Sequence, residues 1–169
     1  SSIVYEGFGP ERIAVIIEAL TDNKNRTASS LRTIFQKNGG NLGESGVASH
    51  QFKKVGVIRI NRNKISDSDI LELAINAGAE DCSSSNSYHE IITIKENFYK
   101  VKIEIEKKIL EFISSGIEWL PINKISLDEE KTKCVLNFLE MLEENDDVQY
   151  VYANLEVNNN SSLKGSLSW

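Results

Sequence analysis

Val55-Gly56-Val57-Ile58-Arg59-Ile60 is a β-branched apolar run, and Ser66-Asp67-Ser68-Asp69 follows it, leading into Ile70, Leu71, Leu73, Ala74 and Ile75 and closing at Gly78. The first part reads as a strand and the second as a helix, capped by serine and aspartate and ended by a glycine. Further strands are expected at Ala79–Cys82 and His89–Ile94, split by the turn-prone Ser83-Ser84-Ser85-Asn86-Ser87. A helix from about Asn97 to Ser114 and a strand from about Ile117 to Ile125, bent at Pro121, complete the passage. The order from Val55 to Ile125 is β-α-β-β-α-β, the split βαβ arrangement of ferredoxin-like domains.

The flanks repeat the alternation. Ile13-Ala14-Val15-Ile16-Ile17-Glu18-Ala19-Leu20 reads as a buried strand. Asp22, Asn23 and Asn25 are each able to cap the helix that follows, because their side-chain oxygens accept from the free amides of a first turn. In that helix Ala28, Leu31, Ile34 and Phe35 share one face, Arg26, Ser30, Thr33 and Lys37 point outward, and Gly39-Gly40 ends it. A strand is expected at Val47–Phe52. After the central passage come a helix over about Asp128–Asn145, striped by Val135, Phe138, Leu139 and Leu142, and a strand at Val148–Val157.

The economical assembly is an α+β fold of the α/β sandwich type, with two ferredoxin-like small domains, the second inserted in the first. The first would hold residues 1–53 and 127–157, the inserted one 54–126, and residues 158–169 would form a polar tail. One larger sheet would satisfy the same periodicity.

The formal charge is −6, but it is unevenly spread. Residues 1–65 hold 10 lysines and arginines against 5 acids, a balance of +5, and residues 66–169 hold 9 against 20, a balance of −11. A basic front half lets an acidic protein hold a phosphate backbone on one face; chance segregation on solvated surfaces gives the same count. Cys82 and Cys134, the two cysteines, are too few for a disulfide framework or a four-cysteine zinc site. No apolar run approaches the roughly 18 residues of a membrane span.

Catalytic chemistry finds no constellation. His50 and His89 stand apart from any nucleophile motif, and no His or Cys pair has metal-ligand spacing. Asp67/Asp69 and Asp128/Glu129/Glu130 stand at helix starts, where free amides favour negative charge. Gly39, Gly40, Gly43 and Gly46 follow a helix and lack the Gly-Lys-Ser/Thr of a phosphate loop. Neither enzyme, cofactor nor metal is expected.

Three linked stretches remain: Tyr5-Glu6-Gly7-Phe8-Gly9-Pro10, Ala19-Leu20-Thr21-Asp22-Asn23-Lys24-Asn25-Arg26-Thr27, and Phe35-Gln36-Lys37-Asn38-Gly39-Gly40-Asn41-Leu42-Gly43-Glu44-Ser45-Gly46. Together with Val148-Gln149-Tyr150-Val151-Tyr152-Ala153-Asn154 they resemble the YebC/PmpR family of gene-expression regulators, whose mitochondrial relatives are translational activators. The sequence departs from that pattern at Glu11 and Arg12, where the family usually has glycines, and at His50, near an aromatic position. Members begin with a basic helical domain, whereas this sequence opens almost at Tyr5, so the resemblance implies a chain lacking that domain.

What the resemblance implies is a non-enzymatic regulator that binds nucleic acid: DNA as a transcriptional regulator, or ribosomal or messenger RNA as a ribosome-associated translational activator. The location would be the cytoplasm, or the mitochondrion in a eukaryote. On the residues, the phosphate contacts would come from Lys24, Asn25, Arg26, Arg32, Lys37 and Asn38. Tyr5, Gly7, Phe8, Gly9, Pro10, Asp22, Asn23, Thr27, Gly39, Gly40 and Gly43 would shape the motif. The turn-rich Tyr5–Pro10 stretch would either stack bases or fill the core. The same polar residues also read as a solvated helix face with capping asparagines. A competing reading is a protein-interaction module that contacts ribosomal or transcription proteins through the acidic half.

Overall fold

The computed structural model describes residues 1–157, and the expected tail at 158–169 lies outside them. The described chain forms two compact units, one of residues 1–53 with 120–157, the other Lys54–Trp119.

In the first unit, β1 (Ser2–Phe8) and β2 (Ala14–Leu20) form an antiparallel hairpin, with Tyr5 opposite Ile17. β3 (Asn41–Leu42) and β8 (Val148–Ala153) flank it, giving the sheet order β3-β1-β2-β8. Helices α1 (Lys24–Lys37) and α4 (Glu129–Glu143) bury Leu31, Phe35, Val135, Phe138, Leu139 and Leu142 against Ile13, Val15, Ile17 and Val151. Phe35 and Phe138 meet edge to face at 5.0 Å, a favourable aromatic geometry.

The second unit runs β4 (Phe52–Asn61), α2 (Asp67–Ala77), β5 (Asp81–Ser84), β6 (Tyr88–Ile94), α3 (Phe98–Glu106), β7 (Ser114–Pro121). Its sheet order, β5-β6-β4-β7, is that of the split βαβ arrangement. Ser66 caps α2 by accepting from the Asp69 amide, and Gly78 ends it at φ 98°. The core is Ile58, Ile60, Ile70, Ala74, Ile91, Phe98, Val101 and Ile105. The α+β class is as expected, although the first unit reaches its two layers in a different chain order, ββαβαβ.

Four local expectations are corrected. Tyr5–Phe8 is strand, not turn: Gly7 is needed there because a Cβ would lie 2.5 Å from the Asn41 carbonyl oxygen of the neighbouring strand. The turn is confined to the residues after it, where Glu11 and Arg12 adopt φ 59° and 60°.

Val47–Phe52 is not a strand until Phe52; Ser49–Gln51 is a single 3-10 turn, because the buried Glu6 carboxylate takes the amides of Ala48 and Ser49. α3 stops at Glu106, well before Ser114. Residues 107–114 hold no glycine or proline to signal the end, yet the Ile113 amide is drawn to the Arg59 carbonyl (2.8 Å) and Leu110 is 89% exposed. β7 ends at Pro121, which has no amide to continue a ladder, and Ile125 instead makes one parallel bridge to Leu155.

Candidate nucleic-acid interface

The polar motif occupies the junction from β2 to α1. Asn23 caps α1, its side chain accepting from the Arg26 amide at 3.0 Å, and Thr21 Oγ1 accepts from the Asn23 amide at 3.0 Å. Thr27, fully buried, donates from Oγ1 to Asp147 at 2.7 Å and also lies 2.8 Å from Thr21 Oγ1. Asp147 belongs to the turn between α4 and β8. Its neighbour Asn145 donates to Ser30 Oγ at 2.9 Å, so that turn is fastened to α1 twice.

Arg26 is part of this network: its Nη2 donates to Asp22 and to both oxygens of Asp147 at 3.1–3.3 Å. The hydrogen bond from Thr27, then that from Arg26, holds the Asp147 carboxyl below its ordinary range, and Asp147 in turn raises the Arg26 guanidinium. Tyr5 donates its hydroxyl to the Lys24 carbonyl at 3.0 Å, which fixes the start of α1 from β1.

The far end of α1 is fixed as tightly. Asn38 Nδ2 donates to the Ile34 carbonyl at 2.8 Å and the Gly40 amide to Phe35 at 2.8 Å, with Gly39 at φ 75°. A Cβ on Gly40 would lie 2.4 Å from the Phe8 carbonyl oxygen, and one on Gly9 2.5 Å from the Phe138 ring. Past it, Gly43 donates its amide to the Glu6 carbonyl at 2.9 Å. Burial pushes the Glu6 carboxyl up, but the amides of Gly46, Ala48 and Ser49 outweigh it, and the group lies below its ordinary value.

The six candidate contact residues therefore divide. Lys24, Asn25, Arg32 and Lys37 are exposed on α1, and among the described residues none of these three cations has a carboxylate partner. Arg26 is already neutralised, and Asn38 is used as a cap. At 3.6 residues per turn, Arg32 and Lys37 project about 140° apart, so they flank the outward face rather than line one ridge. Pro10 is buried in the β1–β2 turn, and Phe8 is half-buried.

The two histidines are accounted for structurally. His89 is fully buried between Ser84 Oγ (2.6 Å) and the Ile65 carbonyl (2.8 Å), and His50 Nδ1 lies 3.2 Å from the Gly46 carbonyl. Among the described residues no group of three His, Cys, Asp or Glu is placed to hold a metal ion, and no helix is long and apolar enough to cross a membrane.

Residues 1–155 match the family described as the TACO1/YebC second and third domain. The chain belongs to the TACO1/YebC family. This TACO1/YebC chain is 54% identical over 156 residues to a protein of Pelagibacter ubique named a probable transcriptional regulatory protein, covering 92% of this chain and 65% of the relative. It is 45% identical over 155 residues to a protein of the same name in Syntrophus aciditrophicus, covering 92% and 62%. The chain thus spans somewhat under two thirds of the length of these relatives. The crystal structure of a conserved hypothetical protein from Aquifex aeolicus shares its fold, with a TM-score of 0.86 and 41% identity over 97% of this TACO1/YebC chain and 68% of that one.

Sequence reasoning located the motif but missed Asp147 and Glu6. Asp147 lies 120 positions from Thr27 with no local spacing to reveal the pairing. Glu6 shares its face of β1 with the exposed Val4, opposite the face on which Tyr5 meets the core, so strand alternation gave no signal of its burial.

Proposed function

We propose that this chain is the part of a non-enzymatic gene-expression regulator that lays the outward face of α1 against a nucleic-acid backbone. Lys24, Arg32 and Lys37 supply charge to phosphates and Asn25 a hydrogen bond; Arg26, Asn38 and the glycines hold the helix at both ends so that its face is presented in one orientation. The observation that carries this reading is the division of cations on α1: Arg26 is spent on Asp22 and Asp147, whereas among the described residues Lys24, Arg32 and Lys37 have no carboxylate partner, and they lie in the basic half of the sequence. Phosphate contacts of this kind position a protein without reading bases, which suits recognition of RNA shape on a ribosome or of duplex backbone. The names of the bacterial relatives favour transcription, and the family's mitochondrial branch favours translation.

The test is binding to purified ribosomes and to random duplex DNA at low and moderate salt, comparing the chain with an Arg32→Glu/Lys37→Glu variant. Loss of ribosome binding in the variant supports an RNA-contacting translation factor. Salt-sensitive DNA binding without ribosome binding supports the transcriptional role. Binding that survives the charge reversals points instead to a protein partner of the acidic half.

A further inference from the structure

We propose that the unit Lys54–Trp119 carries a second contact surface, for single-stranded nucleic acid, in which Tyr99 is a stacking platform and Lys54, Lys95 and Lys102 contact the backbone. The proposal rests on the reading of the chain as a nucleic-acid binder but uses no residue of α1.

The placement follows from the sheet register. Val55 and Ile94 are Cα partners across β4 and β6, so Lys54, still within β4, and Lys95, just past β6, lie at the same end of that ladder. α3 begins at that end. Gly56 faces its first residue so closely that a Cβ would lie 2.6 Å from the Phe98 ring. Phe98 in turn packs edge to face with Tyr99 at 5.1 Å, and Lys102 Nζ lies 6.0 Å above the Phe98 ring. Lys54 Nζ stands over the Trp119 ring at 5.2 Å, which orders an otherwise flexible side chain.

Charge and exposure then set the partner. In this unit Arg59, Arg62, Lys64 and Lys107 are each paired with a carboxylate. Lys54, Lys95 and Lys102 are not, among the described residues, so they remain available to a polyanion. On the first turn of α3, next to the Phe98 ring over which Lys102 lies, Tyr99 is 71% exposed and packed edge to face against Phe98. A ring held rigid and open beside unpaired lysines fits an unstacked base with its flanking phosphates; a duplex keeps its bases stacked inside and gives such a ring nothing to hold. Glu96, in the turn between Lys95 and Phe98, is an exposed carboxylate that opposes this partner.

The experiment uses the full chain and a short labelled single-stranded RNA of mixed sequence, with the matched duplex alongside, titrated across a salt series. Tyr99→Ala should weaken single-strand binding about fivefold or more and leave duplex binding unchanged. Lys54→Gln/Lys95→Gln should flatten the logarithmic salt dependence for the single strand by about 1.4, and Glu96→Gln should tighten binding. All four positions lie outside both apolar cores, so unchanged melting temperatures separate lost contact from lost fold. If these variants bind the single strand like the parent while Arg32→Glu/Lys37→Glu does not, this proposal falls and the α1 reading stands. If they lose single-strand binding while the α1 variant keeps binding to single strand and duplex alike, this proposal stands and the α1 reading falls. A parent chain that binds neither nucleic acid overturns both.

Discussion

Arg26 and Asp147, 121 positions apart in the chain, are joined at 3.1 Å, and the same carboxylate takes the hydroxyl of the buried Thr27 at 2.7 Å. The most polar stretch of the motif is therefore a clasp that fastens the α4–β8 turn to the start of α1. Thr27→Val keeps the shape but leaves Asp147 without its shortest hydrogen bond beside an apolar methyl. It should cost about 1–3 kcal/mol, read by urea unfolding. Arg26→Ala, on a half-exposed side chain, should cost less. If Arg26→Ala proves as damaging as Thr27→Val, the guanidinium rather than the hydroxyl holds the clasp.

Glu6 fastens the Gly43–Gln51 loop through the amides of Ala48 and Ser49 at 2.7 and 2.8 Å. Its folded-state pKa is lowered, so its contribution is present above the usual glutamate range and is lost as pH falls through the lowered folded value. Glu6→Gln should therefore destabilise the chain by about 1–3 kcal/mol near neutral pH, and the gap to the parent should close as pH falls below the ordinary glutamate range and through the lowered folded value. Proteolysis of the loop at neutral pH should speed up in the variant. A gap that persists undiminished in acid would assign the loss to packing instead of charge.

What could be read from the sequence, and what could not, divides along the range of the interactions. α2 and its caps were legible because Ser66 and Gly78 act within one turn of the helix they bound; for α1 the end at Gly39-Gly40 was legible, but the sequence left Asp22, Asn23 and Asn25 as equal caps, of which Asn23 is the one used. β1 was misread as turn because Gly7, taken as a turn residue, is there to admit the Asn41 carbonyl, a contact 34 positions away in sequence. α3 was overextended because its end is set by pairing of Ile113 with Arg59, not by a local breaker. At the candidate interface the cations were all legible, but only the distant Asp147 shows that Arg26 is paired, whereas among the described residues Lys24, Arg32 and Lys37 have no carboxylate partner.

Glu143, an exposed residue near the end of α4, is pushed up to about 7 by partial desolvation of its carboxyl and by the neighbouring Glu140. A carboxyl with a raised folded pKa binds its proton more tightly in the native state, so stability should fall as pH rises from about 4.5 to 7 and level off above. Glu143→Gln removes that dependence. The variant should match the parent near pH 4 and melt higher at pH 8. Equal melting temperatures at pH 8 would show that the charged form is already well solvated in the folded chain.

Glu11 and Arg12 hold φ 59° and 60°, the left-handed conformation in which a Cβ crowds its own carbonyl. The family to which the chain belongs usually has glycines there, and the geometry supplies the reason. Two consecutive left-handed residues cost roughly 1–2 kcal/mol each, against roughly 0.5–1 kcal/mol for the extra freedom glycine loses on folding. Nothing buried depends on either side chain, since both are exposed and Glu11 makes only a 4.0 Å contact with Lys131. Arg12→Gly should thus stabilise the chain by up to about 1 kcal/mol, with Glu11→Gly similar after loss of the weak Lys131 contact. Substituting a β-branched valine at Arg12 should do the reverse, because its second γ-carbon worsens the same crowding. Unfolding of the three variants against the parent checks the order Gly, Arg, Val. An order with arginine first would mean that the Arg12 side chain makes a contact worth more than the strain of its backbone.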